Sequence, residues 1–195
     1  MIVILDCGSN KVPCIEDTVD QFIDFKTIPF LEFHPDQFPE AKGVIISGAP
    51  LLITEIDMEK YLIASTWIKN YDKPLLGICF GHQIIGLQYG AFGSKIKEDR
   101  DWQEIEQMET DSLFSRIPTV FQMMEDHCEV ISIPAGFTLL ASSDASINEG
   151  MRHKDKNVFG VQFHPEVSGN MGSVLIENFI KICENPSKQH DDVEI

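Results

Sequence analysis

The sequence predicts an α/β fold: a three-layer α/β/α domain with a mainly parallel central sheet and an added antiparallel β region. Three observations carry this. Short apolar runs recur at Ile2–Leu5, Val44–Ile46 and Leu75–Ile78, as expected of strands buried on both faces of a parallel sheet. A segment with helical spacing lies between the second and third run, as in α/β domains. From Ser94 to Phe163 the texture changes to short β-like pieces broken by Pro118, Pro134, Gly136 and Gly150.

The opening "MIVILDCGSN" has neither a basic segment nor a small-residue cleavage site, so it reads as a first strand rather than a leader. In "TEIDMEKYLIASTWIKNYDKP", Ile56, Ile63 and Trp67 share one helical face, acids crowd the first turn and Pro74 follows the end. The last helix, near Ser173 to Cys183, aligns Leu175, Phe179 and Ile182. Pro186 and a polar tail, "SKQHDDVEI", follow and predict fraying. Residues 1–185 are therefore expected to form one domain and 186–195 a tail. No repeat, low-complexity tract or linker interrupts it.

A chain of 195 residues suits one domain with a sizeable core. Its formal net charge of −16 argues against nucleic acid and anionic membrane as partners. Most of that charge reads as solvated surface, with part able to steer a basic partner. No apolar stretch approaches membrane-spanning length. The cysteines (Cys7, Cys14, Cys79, Cys128, Cys183) are odd in number and never spaced as CxxC, which points to a reducing cytoplasm rather than to disulfides or zinc. No feature calls for a metal or an organic cofactor.

The third strand runs into a helix through "LLGICFGHQIIG". A nucleophile on so sharp a turn is lifted clear of the sheet, and the positions two before and two after must be small, as Gly77 and Gly81 are. The following helix turns Ile84 with Leu87, and Ile85 with Tyr89, toward the sheet, and Gly90 can end it. Cys79 would sit at the helix N-terminus, where the dipole favours thiolate, with the Phe80 N–H aimed at a developing oxyanion. A small core cysteine packed between glycines is the other reading of this stretch.

A nucleophilic cysteine needs a base. His34 and His190 lie in loop or tail sequence, His153 beside two lysines, and His82 on the first turn after the cysteine, where it would cap or face solvent. His127, in "MMEDHCEV", could line a pocket. His164 ends the strand "NVFGVQF" and is followed by Pro165 and Glu166. Proline holds the preceding residue extended, and residues two apart then project to one side. "HPE" thus sets a carboxylate beside an imidazole, either as base and orienter or as a structural ion pair at a strand end.

"GICFGHQ", "GVQFHPEV" and the early "IISGAP" together resemble the class I (triad) glutamine amidotransferases, over nearly the whole chain. The resemblance implies a glutaminase domain that hydrolyses the side-chain amide of glutamine and delivers ammonia to a synthetase. It implies Cys79 as the nucleophile that forms a glutamyl thioester, His164 as proton carrier and Glu166 as its orienter. Ala49 and Phe80 would supply the oxyanion N–H groups, and Gln83 would help hold the substrate.

Within the family, "LDCGSN", "HPEV" and "EDHCEV" lean toward the GMP synthetase branch. His127 matches the histidine of a stretch that senses the synthetase, and Glu129 stands where aspartate is usual. Ala49 replaces a usual glycine, and "DRDWQEIE" lacks the usual small residues. The expected partners are glutamine and a separate ATP-using synthetase subunit, because the chain stops just after its last helix. Alternatives are the glutaminase component of anthranilate or aminodeoxychorismate synthase, a stand-alone γ-glutamyl amidase, and a non-catalytic regulatory relative.

Overall fold

Three strands, β1 (Ile2–Asp6), β3 (Gly43–Ile46) and β4 (Leu75–Ile78), carry continuous apolar runs because both of their faces are covered. In the computed structural model, which describes residues 1–186, they pair in parallel. Successive side chains point to opposite faces, so alternate residues feed two clusters. Ile2, Ile4, Ile45 and Leu76 pack with α1 (Val12–Val19) and α4 (Gly169–Glu184). Val3, Leu5, Val44 and Leu75 pack with α2 (Glu59–Ala64) and α3 (Phe80–Gln88). The fold is mixed α/β.

On the outer side of β1 lies β2 (Phe25–Pro29), a half-exposed strand with no counterpart in the sequence reading, as is true of α1. On the other side β4 pairs in parallel with β9 (Val158–Val161). Beyond β9 the sheet continues antiparallel through β8 (Gly150–His153), β7 (Phe137–Ser142), β5 (Gly93–Gln107) and β6 (Val120–Ile131). Inward residues of β6 alternate from Phe121 and Met123 to Glu125, His127, Glu129 and Ile131. An apolar pattern therefore turns polar without changing face.

The helix expected over 54–74 is shorter than predicted. Six residues of α2 give way at Ser65 to a tighter 3₁₀ stretch, Thr66–Asn70. The buried stripe becomes Tyr61 and Ile68, while Ile63 is 64% exposed. Tyr61 sets the face: its ring stands edge-on to Phe80, with centroids 5.2 Å apart. The last helix takes the expected stripe, with Leu175, Phe179 and Ile182 buried. From residue 187 on, the expected frayed tail, with His190, lies outside the described residues. Among the described residues no helix is long and apolar enough to cross a membrane.

Candidate active site

Cys79 joins β4 to α3 at φ 50°, a left-handed conformation that a side-chain-bearing residue adopts at a cost. Its N–H continues the sheet by donating to the Val161 carbonyl at 2.8 Å. The turn closes because its neighbours are small. A Cβ on Gly77 would fall 2.5 Å from the Gly81 carbonyl, and one on Gly81 would fall 2.3 Å from the Ile46 carbonyl oxygen. Cys79 is left at the N-terminus of α3, where the first N–H groups have no intrahelical partner. The sulfur lies on the wall of a pocket of about 620 Å³, whose lining includes Ala49, Phe80, Gln83, His127, Glu129 and His164.

The "SGAP" loop closes one side of that pocket. Ser47 ties it to the end of β1, its Oγ accepting from the Cys7 N–H at 2.9 Å. Gly48 lets it approach the reactive pair, since a Cβ there would meet His164 Cε1 at 3.1 Å and Cys79 Cβ at 3.6 Å. Ala49 is not among the residues with positive φ, so alanine fits where glycine is usual. In "DRDWQEIE", by contrast, Asp101 takes φ 65°.

His164 reaches the sulfur from the far side. Its N–H donates to the Met124 carbonyl at 2.9 Å, and its own carbonyl accepts from Ser168 Oγ at 2.6 Å. Nδ1 stands 2.8 Å from Glu166 Oε1, both side chains buried. The contact forms although the segment is not extended as predicted: Pro165–Val167 is a 3₁₀ turn. Burial disfavours charge on the ring. The Cys79 sulfur, by charge and hydrogen bond, and Glu166 behind it outweigh that and raise the His164 pKa to about 10. The ring is thereby held as an imidazolium beside the Cys79 sulfur.

Two glutamines connect the sulfur to β6. Gln162 Nε2 points at Cys79 Sγ, 3.6 Å away. Gln83 Nε2 donates to Gln162 Oε1 at 3.1 Å and to the Glu129 carbonyl at 3.0 Å. Gln83 lines the pocket with its Nε2 engaged by protein. Gln162 was not singled out from the sequence, although it sits two residues before His164 in the same motif. Glu129 is buried and its carboxylate accepts from Thr54 Oγ1, so it braces the 52–55 turn from inside.

His82 departs from expectation. It is fully buried rather than capping or facing solvent, and burial drives its pKa down to about 3. Gly160 on the neighbouring strand makes the room, since a Cβ there would lie 2.5 Å from His82 Nδ1. His127 joins a buried polar group that the sequence reading did not assemble. It lies with Asp99 on β5, directly across the ladder, with Glu125 on β6, and with Glu149 just before β8. One donor atom from each falls within 4.8 Å of the others, so these four could hold a cation. Burial, and the charge of Asp99, raise Glu125 to about 8, although a hydrogen bond with Glu149 works the other way. Burial and the Glu125 charge raise Glu149 well above the carboxylate range.

A buried Cys-His-Glu array on a strand-to-helix elbow, beneath a pocket and beside helix N–H groups, is the kind of arrangement that thiol-dependent acyl transfer requires, here on an α/β fold. Residues 3–183 match the family model for glutamine amidotransferase class-I, and the chain belongs to that family. It is similar to the glutamine-hydrolyzing GMP synthase subunit of Methanocaldococcus jannaschii, 37% identical over 191 residues, covering 94% of this chain and 97% of that one. The Pyrococcus abyssi protein of the same description is 36% identical, with 94% and 98% covered. Among solved structures, a putative GMP synthase subunit protein from Thermoplasma acidophilum superposes with a TM-score of 0.86 at 29% identity, covering 94% of this chain and 93% of that one. A Thermotoga maritima glutamine amidotransferase shares the fold, with a TM-score of 0.73 at 19% identity and 96% and 85% covered.

Proposed function

We propose that residues 1–185 form a three-layer glutaminase domain, with an added antiparallel region, that hydrolyses the side-chain amide of glutamine. The ammonia passes to a separate ATP-using synthetase that converts XMP to GMP. The observation that carries the reading is the Cys79–His164–Glu166 array, with Nδ1 of His164 held on Glu166 and its other face turned to the Cys79 sulfur. The similar GMP synthase subunits supply the partner class.

In this reading Cys79 Sγ attacks the amide carbon, and the electron pair of the C=O bond moves onto oxygen. The N–H groups of Phe80 and Ala49 receive that oxyanion. Collapse breaks the C–N bond, His164 delivers its proton to the departing nitrogen, and a thioester remains. Water then gives a proton to His164 and attacks the thioester, releasing glutamate and restoring the thiolate. Glu166 keeps the ring in one orientation and stabilises its charge throughout.

His127 and Glu129 sense the docked synthetase from the inner wall of the pocket rather than by surface contact. Their route to the sulfur is the Gln83–Gln162 pair. The scattered cysteines, none spaced as CxxC, support a cytoplasmic protein, and the strong acidity one that works with a protein partner and without nucleic acid or membrane. The test is glutamine-dependent amination of XMP, with ATP, after adding the synthetase subunit from the same source. Activity abolished by Cys79→Ser supports the proposal. Turnover with a chorismate-utilising enzyme alone would move the acceptor, and full turnover without any partner would make the chain a stand-alone amidase.

A further inference from the structure

We propose that Asp99, Glu125, His127 and Glu149 bind one divalent first-row transition ion, of the Mn²⁺ or Zn²⁺ type, behind the catalytic histidine. The four are not near one another in sequence except for Glu125 and His127, which is why spacing alone does not reveal a site. In the fold, His127 Nε2 lies 3.1 Å from Glu125 Oε2 and 4.0 Å from Asp99 Oδ2. Ligands about 2.1 Å from one ion stand roughly 3.0–3.4 Å apart at octahedral to tetrahedral angles. The edge to Glu125 already has that length, while the edge to Asp99 must contract, as must any edge that approaches the 4.8 Å within which the four donor atoms lie.

The donor atoms have no use outside the cluster. Both Glu125 oxygens, Asp99 Oδ2, Glu149 Oε2 and His127 Nε2 are buried without a hydrogen-bond partner beyond it. The Glu125 side chain is 0% exposed. His127 makes the only ion pairs found for Asp99 and Glu125 among the described residues. Carboxylates removed from water need a counter-charge or a proton.

His127 Nδ1 faces the Glu129 carbonyl at 3.2 Å, and a carbonyl can only accept, so Nδ1 carries the proton. Nε2 then faces the Glu125 and Asp99 oxygens, and either a proton or a metal ion must stand between them. An N–H to carbonyl bond on the far nitrogen is also the usual support of a metal-bound histidine. Ser143 Oγ supports Glu149 Oε1 in the same way, at 2.9 Å. Three carboxylates with one imidazole suit an ion that accepts both oxygen and nitrogen. The cluster lies next to solvent-filled space, because His127 lines the main pocket and Glu125 a smaller one beside it.

Such an ion would clamp β5, β6 and the residue before β8 together. Glu125 follows Met124, whose carbonyl holds the His164 N–H, so the clamp would steady the backbone behind the base. The proposal stands on this geometry whether or not glutamine is the substrate, and its test reads binding rather than turnover.

The test uses tag-free, chelator-treated full chain carrying Cys79→Ser, so that the pocket sulfur does not compete for metal. Mn²⁺ is titrated and followed by electron paramagnetic resonance. One bound Mn²⁺ per chain, imidazole nitrogen coupling in the pulsed spectrum and a raised thermal midpoint are expected. Glu125→Gln and Glu149→Gln should each weaken binding at least about tenfold, the scale on which even an outer-shell partner counts. No binding of Mn²⁺, Co²⁺ or Zn²⁺ at millimolar concentration would overturn the site and leave the cluster held by shared protons. Binding unchanged in both variants would overturn it as well. Should the variants fail to fold, the native-cluster protein decides: nitrogen coupling supports the site, and an oxygen-only signal overturns it.

Discussion

Glu166 Oε1 lies 2.8 Å from His164 Nδ1 across a 3₁₀ turn, and the same turn is locked from both ends. Ser168 Oγ donates to the His164 carbonyl, and Gly172 lies so close to Pro165 that a Cβ there would fall 1.8 Å from its carbonyl oxygen. The carboxylate is therefore placed by backbone packing rather than by its own reach. Glu166→Gln should keep the fold and the ring position while losing the charge that stabilises imidazolium. Partner-activated glutaminase should fall by two decades or more, on the order of a triad-carboxylate effect. Near-normal activity with an unchanged thermal midpoint would make Glu166 structural.

Cys79 should be the cysteine that a glutamine-analogue electrophile such as diazo-oxo-norleucine modifies. Burial pushes the Cys7 and Cys183 thiols far up, and Cys128 is raised by burial and by Glu129. Cys79 instead has a helix N-terminus and an imidazolium beside it. Peptide mass spectrometry should find the adduct on Cys79. Labelling that persists in Cys79→Ser, or that falls mainly on Cys7 or Cys128, contradicts the assignment.

His164 and His82 should contribute to stability in opposite pH windows. The folded pKa of His164, about 10, lies above its ordinary value of 6.5. Its contribution is complete below about pH 6.5 and is lost as pH rises through about 10. His82, near 3 when folded, is buried neutral. The unfolded ring takes up a proton first, so that contribution is complete above about pH 6.5 and is lost as pH falls toward 3. Thermal midpoints across pH should therefore fall at both ends. Cys79→Ala should blunt the alkaline fall, and a site-resolved NMR titration should show the His164 pKa lowered. An unmoved His164 would mean that the sulfur does not hold its proton.

Gly81→Ala should damage folding rather than chemistry alone. Its Cβ would collide with the Ile46 backbone, which cannot swing aside as a flexible side chain could. Overpacking of this kind costs roughly 1–3 kcal/mol, read as a lowered thermal midpoint or lost soluble yield. A stable, fully active variant would show that the elbow is looser than its contacts indicate.

The elbow was legible because its chemistry is local, set by glycine spacing; in "HPE" the pairing of His164 with Glu166 was legible but its geometry was not, since a 3₁₀ turn rather than an extended segment makes the contact. The α2 face was not legible, because a change to 3₁₀ winding at Ser65 and the Tyr61–Phe80 contact decide which side is inward. His82 was misread for a similar reason, since the space it fills exists only where Gly160 on another strand lacks a side chain. In β6 a signal was present. Phe121 and Met123 set the inward parity, and Glu125, His127 and Glu129 continue it. Three polar residues on a core face mark a buried polar site, but Asp99 and Glu149 come from other elements and only the fold brings them in.

Gln83 separates two roles that the sequence could not. As a substrate contact its loss should raise KM; as a link from β6 to the sulfur its loss should leave KM near normal and flatten the response to the partner. The geometry favours the link, because Gln83 Nε2 is already engaged by the Glu129 carbonyl and by Gln162 Oε1. Gln83→Leu keeps the volume and removes both bonds, and it leaves the Glu129 carbonyl and the Gln162 amide each short of a partner. The ratio of partner-stimulated to unstimulated rate should therefore drop several-fold, and His127→Ala, whose ring faces the same carbonyl at 3.2 Å, should lower that ratio in the same direction. Steady-state kinetics with and without the synthetase and its substrates make the distinction. A large rise in KM with the stimulation ratio intact would return Gln83 to substrate binding and break the proposed route from β6 to Cys79.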